Sequence, residues 1–211
     1  MQSSLSKWGF ICLVGTFLGC TNQATHSDRL NFEGSLSKLV QDESKLPTLV
    51  YTLPNAAKDL GTYNSFMVDP IDVFRVDEKD SLITDTDIQS IKIYFHQKVL
   101  TELQKAGLQI IDIPKRDTLR ISLALSDLRA PISLTSETAT ALGQQFELGG
   151  VTIIAAFSEA NTEVVVAVVM ERSRGESFLS NKYSSNNFSD IEAALDIWAI
   201  NVSRAIANAH N

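Results

Sequence analysis

The residues whose type and spacing come nearest to a reactive set are the carboxylates Asp69, Asp72, Asp127, Glu159 and Glu171. Two acids three residues apart, as in Asp69-Pro70-Ile71-Asp72, can divide acid and base work or share a cation once the fold brings them together. The favoured reading of the same acids is turn formation, bulge capping and ion pairing with Arg129, Arg172 or Arg174. Asp69, Asp72, Asp127, Arg129, Glu171 and Arg172 therefore mark a candidate functional surface with no catalytic role assigned. Other chemistry is sparse. His26, His96 and His210 are far apart in the chain and none has a second histidine at metal-ligand spacing, so no metal is expected. Gly149-Gly150 opens an apolar, strand-like run rather than a helix, which makes it a turn signal and not a phosphate cradle. No nucleophile-elbow pattern occurs, and no cofactor is implied.

The two cysteines, Cys12 and Cys20, lie in a distinctive N-terminus. Met1 to Lys7 is short and polar with one positive charge, and Trp8 to Leu18 is apolar throughout apart from Gly9, Gly15 and Thr16. That run is too short for a permanent span and has the layout of a secretory signal peptide. It ends in Phe17-Leu18-Gly19-Cys20, which resembles the lipobox of bacterial lipoproteins, with Phe17 where leucine is more usual. The resemblance implies cleavage after Gly19 and acylation of Cys20. Thr21, where an aspartate would mark retention at the inner membrane, resembles the outer-membrane sorting pattern. Residues 1–19 would be removed and 20–33 would form the lipidated cysteine and a flexible polar tether, leaving a periplasmic domain over 34–211. The processed chain would have no cysteine for a disulfide and would depend on a core drawn from roughly 190 residues. Loss of Lys7 with an acid-free leader takes the net charge from −7 to −8. An acidic domain has no electrostatic footprint for nucleic acid or anionic headgroups, so attachment to a membrane falls to the acyl chains.

The elements that must position these residues are marked by periodicity. Leu36, Leu39, Leu46, Leu49, Val50 and Tyr51 are expected to lie along the domain surface. Phe66 to Phe74 is strand-like, and Pro70, which has no N–H for a ladder, predicts an edge or a bulge. Ile88, Ile91, Phe95, Val99, Leu103 and Ala106 predict a helix stopped by Gly107. Leu108–Ile113 and Leu119–Leu128 read as strands; the second puts Ile121, Leu123 and Leu125 on one face and Arg120, Ser122, Ala124 and Ser126 on an exposed one. A short helix is expected over Ser136–Phe146. Val151–Phe157 and Val164–Met170 predict a hairpin, the second strand central and covered on both sides. Ser189 to Glu192 has the form of a capping box, and Ile191, Leu195, Trp198, Val202, Ile206 and Ala209 make one apolar stripe. The expected fold is a single α+β domain, a mostly antiparallel sheet of about five strands packed by two main helices.

Three segments carry a family resemblance. Tyr63-x-x-Phe66-Met67-Val68-Asp69-Pro70-x-x-Val73-Phe74, Leu119-Arg120-Ile121-x-Leu123-x-Leu125-x-Asp127-Leu128, and Thr162-Glu163 leading to Val168-Val169-Met170-Glu171-Arg172 resemble the bacterial lipoproteins of domain of unknown function 3313. The likeness extends over roughly residues 30 to 178. Two positions depart from the family pattern: Glu163 stands where a glycine usually follows the threonine, and Glu171-Arg172 replaces Asp-Arg. The resemblance implies an envelope location and names no catalytic residue. It leads to an expectation of a non-enzymatic lipoprotein on the periplasmic face of the outer membrane, binding an envelope protein or an apolar ligand. A fold-level analogy with accessory lipoproteins of lipid transport points the same way. The alternative is an envelope hydrolase or cation-dependent enzyme that uses the strand-end carboxylates.

Overall fold

Thr84 opens the first long helix, α1 (Asp85–Lys105), through a reciprocal capping box: the Asp87 N–H donates to Thr84 Oγ1, and the Thr84 N–H donates to Asp87 Oδ2. This computed structural model describes residues 38–45, 48–54, 60–74, 83–129, 150–174 and 188–210. The expected signal peptide over 1–19, the expected tether over 20–33 and the short helix expected over 136–146 lie outside them. Along α1, Ile88, Ile91, Phe95, Val99 and Leu103 are buried, the stripe read from their spacing. Gly107, at φ +81°, ends it. The second helix, α2 (Ser189–Ala209), buries Ile191, Leu195, Trp198, Ala199 and Ile206. Its N-cap is Phe188 with no side-chain cap, so the expected capping box at Ser189 is not made. The helix starts one residue early, with the Glu192 N–H bonded to the Phe188 carbonyl, and Phe188 packs on the core.

Among the described residues the sheet has seven strands: β1 (Val40–Gln41), β2 (Leu49–Thr52), β3 (Ser65–Val68), β4 (Asp72–Val73), β5 (Thr118–Arg129), β6 (Gly150–Glu159) and β7 (Val165–Arg174). Their order is β1-β2-β7-β6-β5-β3, with β4 also on β5. The sheet is mixed: β3 and β4 run parallel to β5, and the remaining pairs are antiparallel. The count exceeds the expected number because Pro70 divides one run into β3 and β4, and because two short strands form before residue 53. Leu108–Ile113 is not a strand. It makes one bridge, with Phe66 donating to Gln109 O and Ile111 donating to Phe66 O, and the pairing goes no further.

Alternation assigns the faces. Leu119, Ile121, Leu123 and Leu125 of β5 and Val151, Ile153, Ala155 and Phe157 of β6 share one core with both helices. Ala124, Ala156 and Ile154 form a separate small cluster on the opposite face. That face is not exposed at β5 as expected: Ser122, bonded to Asp69, is 2% accessible and Ala124, clustered with Ala156 and Ile154, is 0%. In β7 the consecutive residues Ala167 and Val168 are both buried, which matches a strand covered on each side.

Both helices end beside β3. The carbonyl of Gln109, just past α1, meets Phe66, and His210, just past α2, meets Tyr63 and Phe66. Leu60–Thr62 forms a 3-10 turn against the end of α2, where a Cβ on Gly61 would collide with the Ala209 carbonyl. Side by side, α1 and α2 are joined at their rims: Tyr94 donates to Asp196 at 2.7 Å, and Lys98 pairs with Asp196 at 3.1 Å and Glu102 at 3.5 Å. Phe95 and Trp198 meet edge to face beneath, with centroids 5.6 Å apart.

Candidate functional site

The parallel pairing of β3 with β5 assembles a polar ladder on the face away from the helices. Register sets Ser65 beside Thr118 and Met67 beside Arg120, and carries Asp69 to Ser122. The hydroxyls of Ser65 and Thr118 are 2.8 Å apart and buried. Ser122 Oγ donates to Asp69 Oδ2 at 2.7 Å. Arg120, its side chain 11% exposed, ties this ladder together. Its Nε is 3.8 Å from Asp69 Oδ1, one terminal nitrogen is 3.7 Å from Glu163 Oε1, and the other is 3.4 Å from Met67 Sδ. The Asp69 N–H donates to the Ile121 carbonyl, so backbone and side chain are both held.

The expected surface residues do not form one constellation. Asp72 lies opposite Ala124 on the same face as Asp69, half-buried. Asp127 sits in the left-handed region, φ +50°, at the irregularity that shifts the β5–β6 register, and accepts from Thr152 Oγ1 at 3.1 Å. From Ser122 to Ser126 is four residues of strand, about 14 Å, so Asp69 and Asp127 serve different places. Arg172 is exposed opposite Thr152, whereas Glu171 lies opposite Ile153 on the helix side. Burial alone pushes the Glu171 carboxyl above its ordinary range. For Arg129 the backbone is described, opposite Gly150, and the side chain is not.

The arginine that meets Asp69 is Arg120, which sequence reasoning had placed on an exposed face. The signal was present: a strand period of two sets Arg120 next to Ser122 on one face, and only the parallel register brings Asp69 to both. His210 is also engaged, its Nε2 2.8 Å from the Tyr63 carbonyl and its Nδ1 2.9 Å from that of Ile206.

Chemically, the ladder is a fastening. Ser122 is buried with its hydroxyl donated to Asp69, and no histidine is bonded to it among the described residues. No group of three His, Cys, Asp or Glu able to hold a metal occurs among the described residues, and no helix among them is long and apolar enough to cross a membrane.

Residues 29–202 match the family described as protein of unknown function (DUF3313). The chain belongs to that family. No curated relative matches the sequence. Among solved structures, this DUF3313 chain is similar to the PelC L103M dodecamer subunit from Paraburkholderia phytofirmans, at 11% identity and TM-score 0.43, over 76% of this chain and 95% of that one. It is also similar to a minor lipoprotein from Acinetobacter baumannii, at 12% identity and TM-score 0.37, over 69% and 94%. A third is lipoprotein GNA1162 from Neisseria meningitidis, at 10% identity and TM-score 0.31, over 65% and 97%. Glu163 has φ +58°, the conformation glycine adopts without strain, and its carboxylate reaches Arg120. Glu171 stands half-buried on the helix side.

Proposed function

We propose that this DUF3313 protein is a lipoprotein of the bacterial envelope, cleaved after Gly19 and held at the periplasmic face of the outer membrane by acyl chains on Cys20. The observation that carries this reading is the run Trp8–Leu18 ending in Gly19-Cys20, with no other cysteine after it. Two or more buried acyl chains anchor stably where one does not, and an acidic domain needs such an anchor. Its role is that of a non-enzymatic accessory component that binds an envelope protein or an apolar ligand. Support comes from the ladder around Asp69, whose serine, arginine and carboxylate are spent on joining strands. The sheet face opposite α1 and α2, where Leu49, Tyr51, Ile154 and Met170 are half-buried, is the surface assigned to that partner.

Cys20→Ala tests the anchor. The expected outcome is loss of metabolic palmitate labelling and an unprocessed or mislocalised precursor. Labelling that persists in the variant would refute the reading.

A further inference from the structure

Ile113 is the most exposed large apolar residue of the described chain, 80% accessible. It is held there rather than left to wander. On one side the bridge to Phe66 pins Ile110 and Ile111; on the other the Lys115 N–H donates to Thr118 Oγ1 and the Lys115 carbonyl accepts from Thr118 N–H and from the Asn161 side chain. The Asn161 bond fastens this loop to the β6–β7 hairpin, whose Val164 is 48% exposed. Exposed Lys115 and Arg116 follow the tip, with exposed Asp112 before it.

The topology places this tip relative to the N-terminus. β1 pairs antiparallel with β2, β2 with β7, β7 with β6 and β6 with β5, so β1 and β5 point the same way. The register runs Val40, Thr52, Ala167, Phe157, Ile121 across the sheet. Lys38 therefore enters at the end of the sheet that carries the Ile113 loop and the β6–β7 hairpin. Residues 21–37 separate it from Cys20 and span at most about 60 Å. To turn the opposite end of the domain to the bilayer, about 40 Å of that reach would be taken up along the twelve residues of β5. With the Ile113 end toward the bilayer none of it is needed for that.

We infer that the Ile113 tip, with Val164 beside it, is the face of the domain that rests in the phospholipid interface. This rests on the acyl anchor proposed above. Ile113 enters the boundary between headgroups and acyl chains, and Lys115 and Arg116 reach lipid phosphates. Asp112 offsets part of their charge, so apolar contact drives the docking.

The test uses the full lipidated chain in vesicles of phosphatidylethanolamine and phosphatidylglycerol with brominated acyl chains. Acylation consumes the Cys20 thiol, so a cysteine introduced by substitution is the one site a fluorophore can take. A label at Ile113→Cys should be quenched several-fold more than one at Thr86→Cys, in the first turn of α1 at the opposite end of the domain. With the label at Val164→Cys, adding Ile113→Asp should lower the docked-to-free ratio about tenfold, the scale of one buried isoleucine. Equal quenching at positions 113 and 86, none at either, or no response to Ile113→Asp would overturn the proposal while the protein still floats with the vesicles. A chain that does not float and takes the label at Cys20 has no anchor, and that outcome removes both readings.

Discussion

Asp69, a candidate from its sequence setting, is held in the fold by a serine and an arginine from another strand. Its partners, Ser122 and Arg120, lie more than fifty positions away and meet it only because β3 lies parallel to β5. A carboxylate that accepts from a buried hydroxyl beside a guanidinium holds its strand in register, since loss of either partner leaves buried charge unmatched. Glu171 is the opposite case. Burial raises its folded-state pKa above the ordinary range, so the folded state binds this proton more tightly than the unfolded chain does. The resulting stability is fully present below about pH 4 and is lost as pH rises through the raised value. Glu171→Gln is therefore expected to raise the urea midpoint at pH 7.5 and leave it unchanged near pH 4, measured against wild type in each buffer. A midpoint that falls at pH 7.5 would mean the charged form has a partner that outweighs its desolvation.

At the scale of elements, the helix pair is the part of the molecule most dependent on packing. Trp198 is 4% accessible and meets Phe95 edge to face, while Tyr94, Lys98 and Asp196 close the seam above. Burial and the hydrogen bond to Asp196 push the Tyr94 hydroxyl above its usual range, and Asp196 holds Lys98 charged. Trp198→Ala should cost about 3–5 kcal/mol, a large share of the roughly 5–15 kcal/mol that holds a domain folded. Urea unfolding of wild type beside the variant measures it, and an unchanged midpoint would contradict a packed α2. The helix starts differ instructively. At α1 the stop to fraying is the side-chain exchange between Thr84 and Asp87; at α2 it is the packing of Phe188. A pattern of Ser and Glu three residues apart therefore located α2 without locating its cap.

At the scale of the whole molecule, α1 and α2 cover one face of a sheet that has seven strands among the described residues. Under the proposed cleavage after Gly19 and acylation of Cys20, the chain would have no cysteine able to form a disulfide, and the core would have to supply the stability that small exported domains often take from cross-links. The thermal midpoint is expected to stay constant under reductant and under EDTA, followed by circular dichroism. A clear drop with EDTA would reveal a bound metal and revive the carboxylates as ligands.

Much of this was legible in the sequence for a physical reason: helix stripes, strand alternation and the breaks at Pro70 and Gly107 are local, set by backbone geometry and by which side chains avoid water. The α+β class, both long helices, the β6–β7 hairpin and the buried Trp198 follow from such patterns. Residues 108–113 were misread because an apolar run resembles a strand until pairing is counted, and only Ile110 found a partner. What the tertiary structure alone decided is which distant residues meet. The parallel placement of β3 on β5 brought Asp69 to Ser122 and Arg120, two residues outside the candidate surface read from the sequence. Strand order and register are long-range outcomes of burying one shared core, and no local window of sequence contains them.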